Sequence, residues 1–273
     1  MRQFKLNTQH GLIDGYYYEA SNKLGKLAII VNGLNGFSSY GMFPQIQKEL
    51  QVAGVSSIAI NFSHGGVREN DDIFTEIELY EKNSMRLEVL DILSVVNSLN
   101  EINVEYKELY LISHSLGSIP TAFAGFELYN NKINLKGIVF ISPSMNLDFW
   151  GSENMDKWEK DGFLNYYIKR TNQTLKLGKE FLEETKHSTT TWNIEIPISK
   201  TPVKYLIIHG DKDESIPIEE AHIVSEWVKK YNYECTLMII ENANHNYNIT
   251  HPFQNVSTEF ENLIYQLSKW ILE

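Results

Sequence analysis

The chain has 273 residues, of which 42% are hydrophobic and 22% are charged, a composition typical of a globular protein with a large core. The formal net charge of −11 argues against nucleic acid as a partner, because nucleic-acid phosphates require a basic face. We find no apolar secretory segment and no run of membrane-spanning length, so we expect no membrane insertion. The single cysteine, Cys235, excludes an intramolecular disulfide, which favours a cytoplasmic location.

The predicted elements alternate along most of the chain. The segments "QFKLN" and "GLIDGYYYEAS", before residue 26, are typical of a β-hairpin at a sheet edge. Further on, apolar runs of strand length alternate with segments of helical period, the pattern of a mostly parallel sheet with helices on both faces. The predicted buried strands are 26–31, 55–62, 108–113, 135–142, 203–210 and 234–241. The predicted helices lie near 42–53, 78–99, 116–130, 218–231 and 256–272.

The alternation fails between residues 143 and 200. This segment contains three of the five tryptophans, Trp150, Trp158 and Trp192, but no clear strand. Residues 173–185 fit one short helix. Because the strand–helix pattern resumes at residue 203, we expect 143–200 to be a cap-like insertion within a single α/β domain spanning residues 1–273.

The stretch "LYLISHSLGSIP" (109–120) contains a candidate nucleophile, Ser115. An apolar strand ends just before this serine and a helical pattern follows it. The small residues two positions before and after it, Ser113 and Gly117, leave room for the sharp strand-to-helix turn of a nucleophile elbow. The following helix also directs backbone N–H groups toward developing negative charge. The alternative for this stretch is a serine-rich turn.

Two further stretches carry an acid and a base. "LIIHGDKDESIP" (206–217) places Asp211 and Asp213 after a strand, where an aspartate often caps a helix or stabilises a turn. "LMIIENANHNYN" (237–248) places His245 after the last strand, where a histidine is often a solvated surface residue. Serine, acid and histidine follow three different predicted strands in that order. The carboxyl ends of parallel strands meet at one sheet edge, where such folds place their sites.

With this order of residues the sequence resembles the α/β-hydrolase family over nearly its whole length. The resemblance implies that Ser115 is the nucleophile, His245 the general base and then acid, and Asp213 the residue that orients the histidine. Asp213 matches the family spacing in "HGDKDESIP". Asp211 and Asp148 remain alternatives for the acid, since some members take it from the loop that holds Asp148.

The resemblance also implies an oxyanion hole made by two backbone N–H groups, those of Leu116 and Leu34. Leu34 lies in the glycine-containing loop "VNGLNGFSSY" after the first parallel strand. Many relatives begin this loop with His-Gly, whereas this chain has Asn32-Gly33. His64, in the loop after the next strand, is expected to be structural.

These features predict a serine hydrolase that cleaves a carboxylic ester of a small acyl or aryl substrate through an acyl-enzyme, without a cofactor or metal. Within the family, the pattern is similar to cinnamoyl and feruloyl esterases and to monoacylglycerol lipases. Acyl transfer or thioester hydrolysis would use the same three residues, and a non-catalytic binding member of the fold is the third reading. The sequence does not specify the oligomeric state.

Overall fold

A computed structural model describes residues 1–22, 24–68 and 70–273, and its centre is a mixed β-sheet. The strands are β1 (Arg2–Thr8), β2 (Gly11–Tyr18), β3 (Lys26–Val31), β4 (Val55–Asn61), β5 (Glu108–His114), β6 (Leu135–Ile141), β7 (Leu164–Ile168), β8 (Gln173–Leu177), β9 (Lys204–Gly210) and β10 (Cys235–Ile240). Eight of these strands form one sheet in the order β1-β2-β4-β3-β5-β6-β9-β10. All six strands predicted from residue 26 onward belong to it.

The directions of the strands divide the sheet into two parts. β1 and β2 pair antiparallel, and β2 runs antiparallel to β4, so the predicted hairpin lies at the edge of the sheet. From β4 to β10 every neighbouring pair is parallel. The carboxyl ends of β3, β5, β9 and β10 therefore meet at one edge of the sheet.

Helices cover both faces, as the pattern predicts. They are α1 (Phe43–Val52), α2 (Ile77–Glu81), α3 (Met85–Asn97), α4 (Ser118–Asn130), α5 (Ser152–Asp161), α6 (Lys179–Lys186), α7 (Glu195–Ile198), α8 (Ile218–Lys230) and α9 (Thr258–Leu272). Alternate strand residues point to opposite faces. Ile29 belongs to the buried cluster that includes residues of α3, α4 and α8, and Ile30 belongs to the cluster that includes residues of α1 and α9. The two clusters of buried side chains sandwich the sheet.

Two of the predicted helices differ in detail from the observed ones. The single helix predicted over 78–99 is two helices, because Ser84 caps α3 by accepting a hydrogen bond from Leu87 N at 3.2 Å. The helix predicted near 116–130 begins with a 3-10 turn, Ser115–Gly117, before α4.

The segment 143–200 also differs from its prediction, since it contains the antiparallel hairpin β7–β8. Residues 173–177 form a strand rather than a helix, because they pair with β7. Their burial alternates accordingly, since Leu175 and Leu177 are buried and Thr174 is exposed. Only the later part of the predicted helix, α6, is helical. Trp158 is fully buried in this segment and donates a hydrogen bond to Gly178 O at 3.1 Å.

No helix within the described residues is long and apolar enough to cross a lipid bilayer.

Candidate active site

Ser115 occupies a sharp turn between β5 and α4. Its φ is +55°, in the left-handed region that a non-glycine residue rarely adopts. Such a conformation costs about 1–3 kcal/mol and persists only where the surrounding structure holds it. The turn places Ser115 at the carboxyl edge of the sheet with its side chain half-buried at a cavity. This is the geometry predicted for a nucleophile elbow.

Two glycines allow the elbow to pack tightly against the loop after β3. A Cβ added to Gly117 would lie 2.4 Å from Asn32 O, and one added to Gly33 would lie 2.8 Å from Ser115 Cβ. Neither distance is tolerated by a real side chain, so both positions require glycine. The backbone of residues 115–117 and the backbone of residues 32–33 are therefore in close contact, as an oxyanion hole shared between these two loops requires.

His245, which is partly buried, and Asp213, whose side chain is fully buried, form a hydrogen-bonded pair. His245 Nδ1 donates to Asp213 Oδ2 at 2.8 Å. The other carboxylate oxygen, Oδ1, accepts from Ser215 N and Ile216 N, each at 2.9 Å. Burial disfavours the ionised carboxylate, but the bond and charge of His245 and the two amides outweigh it and lower the pKa of Asp213 to about 2. Asp213 is therefore ionised at neutral pH and keeps the His245 proton on Nδ1.

The two alternative acids in the sequence, Asp211 and Asp148, lie in other surroundings. Asp211 Oδ1 accepts a hydrogen bond from Asn242 N at 2.6 Å, and Asp148 is exposed. The carboxylate that accepts the hydrogen bond from His245 Nδ1 is that of Asp213.

A cavity of about 470 Å³ lies over this pair and the elbow. Ser115, His245, Leu34 and Leu116 all line it. Asp213 lies behind His245, and its side chain is shielded from solvent. The structure thus brings together every residue that the sequence predicts for the site.

Asn32, the residue before Gly33, supports the loop that contains Leu34. Its side chain is buried and Nδ2 donates to Ile60 O at 2.8 Å on the neighbouring strand β4. Within the loop, Gly36 N donates to Gly33 O at 2.9 Å. The asparagine therefore provides hydrogen-bond support that ties the start of the loop to the sheet.

His114, immediately before Ser115, also lines the cavity and was not predicted from the sequence. Its Nε2 donates to His245 O at 2.9 Å, and the two imidazole centroids lie 4.6 Å apart. Burial and the nearby His245 lower the pKa of His114 to about 3, so its ring is neutral. The signal was its position next to the candidate serine at the end of a buried strand.

His209 supports the pair from behind. It is the histidine of "HGDKD", and its side chain is fully buried. Its Nε2 donates to Ile216 O at 3.0 Å and lies 3.4 Å from Asp213 Oδ2. Burial lowers its pKa, so the ring is neutral and adds no charge beside Asp213.

The far wall of the cavity comes from the segment 143–200. Phe149 and the end of the β7–β8 hairpin line it, including Tyr166, Tyr167, Lys169 and Arg170. The prediction placed a cap over the sheet but did not identify this hairpin or its cationic residues.

Among the described residues, no group of three or more histidine, cysteine, aspartate or glutamate side chains is arranged to hold a metal ion.

Comparison with known proteins identifies the fold. No protein-family model and no curated protein matches the sequence. Est1E from Butyrivibrio proteoclasticus, in a structure with ferulic acid bound, is 19% identical, with 98% of each chain covered and a TM-score of 0.74. Alpha/beta hydrolase domain-containing protein 10 from mouse is 15% identical, with 99% of this chain and 98% of that chain covered and a TM-score of 0.69. A monoacylglycerol lipase from Paleococcus ferrophilus is 14% identical, with coverages of 94% and 98% and a TM-score of 0.66. The chain therefore has the α/β-hydrolase fold.

Proposed function

We propose that the protein is a serine hydrolase that cleaves carboxylic esters of small acyl or aryl substrates. One observation carries this proposal: Ser115, held at φ +55°, shares a cavity with His245, whose Nδ1 is bonded to the ionised Asp213. A serine hydroxyl needs a base to take its proton and donors to hold the oxyanion, and this cavity offers candidates for both.

In the proposed reaction, Ser115 Oγ attacks the ester carbonyl carbon and His245 Nε2 takes the hydroxyl proton. Nε2 is the nitrogen for this role because Asp213 holds the proton on Nδ1. The carbonyl oxygen becomes an oxyanion that the N–H groups of Leu34 and Leu116 stabilise. His245 then protonates the leaving alcohol, and water activated by the same nitrogen releases the acid from the acyl-enzyme.

The cavity and the solved structures both favour a small ester. The wall over Ser115 includes Tyr40, Phe149, Tyr166 and Tyr167, which suit an acyl chain or an aromatic ring. Among proteins of the same fold, Est1E binds ferulic acid and another is a monoacylglycerol lipase. We propose the segment 143–200 as the cap of a single domain that spans the chain.

Fluorophosphonate labelling tests the nucleophile and its base. We expect one label per chain on Ser115 by intact mass and peptide mapping, no label in Ser115→Ala, and slow labelling in His245→Ala. Turnover of p-nitrophenyl acetate should be lost in parallel. His64→Ala is the matched control, because His64 does not line the cavity and bonds to Ser63 Oγ at 2.9 Å.

The outcomes separate the parts of the proposal. A folded wild-type protein that takes no label and hydrolyses no ester would refute the assignment and favour a non-catalytic binding protein. A label on Ser115 with acyl transfer to an added alcohol in place of hydrolysis would keep the nucleophile and replace water as the acceptor.

A further inference from the structure

The tip of the β7–β8 hairpin places two adjacent cationic residues on the cavity. β7 ends at Ile168 and β8 begins at Gln173, so Lys169 and Arg170 lie in the turn between them. Both residues line the cavity that contains Ser115 and His245.

Arg170 is held in place by contacts with the loop that contains Leu34 and with Phe74. Its guanidinium lies over the rings of Tyr40, Phe37 and Phe74, with centroid distances of 4.4, 5.1 and 5.7 Å. One of its amino groups donates to Asn35 O. Stacking on aromatic faces holds an arginine without using all of its donors. The guanidinium is therefore positioned before any ligand arrives.

Neither cation has an acidic partner among the described residues. No aspartate or glutamate in that part of the chain lies within 4.0 Å of the charged groups of Lys169 or Arg170. The titratable groups near Arg170 include the phenols of Tyr40, Tyr80 and Tyr166 and the imidazole of His251. The chain has 35 acidic and 24 basic side chains, yet within residues 1–22, 24–68 and 70–273 neither of these adjacent cations forms a salt bridge.

The charge and the donors of these residues match an oxyanion. A guanidinium carries five N–H donors, more than the contact with Asn35 O uses. Its planar fork suits a carboxylate or a phosphate, and the ammonium of a neighbouring lysine adds a second charge. The aromatic rings at the cavity suit the apolar body of the same molecule.

We propose that Lys169 and Arg170 form an anion subsite, and that the substrate is an ester carrying a carboxylate or phosphate group away from the scissile bond. The inference rests on the proposed function, since it concerns the substrate of the Ser115 reaction. The competing explanation is that Arg170 only fastens the hairpin to Asn35. A fastening role affects all substrates equally, whereas an anion subsite affects charged substrates selectively.

Paired substrates distinguish these two roles. With the charge on the alcohol part, p-acetoxybenzoate and p-acetoxyphenyl phosphate are compared with the neutral p-acetoxybenzamide. With the charge on the acyl part, mono-p-nitrophenyl adipate is compared with its methyl ester. The variants are Arg170→Gln, Arg170→Lys and Lys169→Gln. The control is Lys176→Gln, which removes a charge from the same hairpin at a position that does not line the cavity.

Loss of a charge-assisted contact predicts that Arg170→Gln lowers the charged-to-neutral ratio of kcat/KM by about 10- to 100-fold for at least one pair, mainly through KM. We expect a smaller loss in Lys169→Gln, partial retention in Arg170→Lys and no change in Lys176→Gln. In wild type the ratio should fall as salt is added. The pair that responds identifies the side of the ester and the anion, carboxylate or phosphate, that the subsite takes.

Binding without turnover keeps this inference separate from the proposed function. Wild-type protein is titrated with p-hydroxybenzoate, p-hydroxyphenyl phosphate and p-hydroxybenzamide, and Arg170→Gln should lose the preference for an anion. The subsite would be overturned if the charged-to-neutral ratio of kcat/KM in Arg170→Gln stayed within about twofold of wild type for every pair, or if the variant lost activity equally on charged and neutral esters. Continued hydrolysis of the neutral esters would leave the proposed function intact. An absence of labelling and hydrolysis would instead overturn the proposed function, and the titration would still decide the subsite.

Discussion

The substitution Asp213→Asn tests the pairing of His245 most directly, because the surrounding contacts dictate how the new amide must orient. Ser215 N and Ile216 N both donate to the Oδ1 position. The amide oxygen must occupy that position, so its NH₂ group faces His245 Nδ1, which then has to accept a hydrogen bond. The proton moves to Nε2, the nitrogen that the proposed mechanism needs as a base.

The expected loss of activity in Asp213→Asn has two parts. The pKa of Asp213 is lowered from 3.8 to about 2, which corresponds to about 2.5 kcal/mol in favour of the ionised carboxylate. If all of this free energy came from the interaction with the His245 imidazolium, its loss would slow the reaction by about 60-fold. The wrong tautomer adds to this loss, and a comparable substitution in a serine protease lowers kcat by about 10⁴-fold. The two backbone amides supply part of the pKa drop, so loss of the charge alone costs less than about 60-fold. Together with the wrong tautomer, we expect kcat/KM for p-nitrophenyl acetate to fall by about 10- to 10⁴-fold.

The control is Asp211→Asn, in the same loop. Asp211 accepts a hydrogen bond from Asn242 N and lies 3.7 Å from Lys212 Nζ, whereas His245 Nδ1 donates to Asp213. We expect it to retain turnover within about threefold, because no charge in contact with the reacting atoms is removed. A folded Asp213→Asn variant with more than about a tenth of wild-type turnover, or equal losses in both variants, would refute the assignment of Asp213.

Two further predictions concern packing and buried charge. Gly117→Ala puts a Cβ 2.4 Å from the backbone oxygen of Asn32, which should lower the free energy of unfolding by about 1–3 kcal/mol and reduce turnover. In the control Gly65→Ala the new Cβ has no neighbour closer than 3.4 Å, so thermal unfolding and rate assays should show little change. Equal effects in the two variants would contradict the close approach of Gly117 to Asn32. Burial raises the pKa of Glu88 from 4.5 to about 8. Between these two pH values the folded protein keeps a proton on Glu88 that the unfolded protein releases. The free energy of unfolding therefore falls by up to about 1.4 kcal/mol for each unit that the pH rises in this range. In urea unfolding from pH 5 to 8, Glu88→Gln should lose that part of the slope, and parallel curves would contradict the buried carboxyl.

The central sheet could be predicted because its signal is local. The parallel strands are buried on both faces, so each one is a continuous apolar run between polar segments. The runs 26–31 and 108–113 are β3 and β5 to within one residue. Helix bounds depend on single caps, and the polar run Lys82–Ser84 inside 78–99 was the missed signal for the break before α3.

The residues proposed for catalysis could be found for the same reason. Ser115, Asp213 and His245 each follow a strand whose position was already predicted, and parallel strands bring their carboxyl ends together. Their chain order therefore indicated their proximity. The choice among Asp211, Asp213 and Asp148 rested on resemblance, and the contact between Asp213 and His245 now supports it.

The hairpin over the cavity could not be placed by such reasoning. Leu175, Leu177, Phe181 and Leu182 fit a helical stripe as well as a strand followed by a helix, because their spacing satisfies both periods over so short a stretch. What decides between them is pairing with β7, together with contacts that lie far away in the sequence. Gln173 exchanges two hydrogen bonds with the backbone of Phe74, at 2.9 and 2.8 Å.

The proposed reaction and the proposed substrate preference depend on different parts of the chain. The proposed chemistry depends on loops whose positions follow from the sheet, so a change in the cap leaves the serine, acid and base in place. The proposed choice of substrate depends on Lys169 and Arg170, which reach the cavity only because Gln173 and the aromatic rings under Arg170 fix the hairpin. Under these two proposals, substrate preference can change through hairpin contacts while the residues proposed for catalysis keep their places.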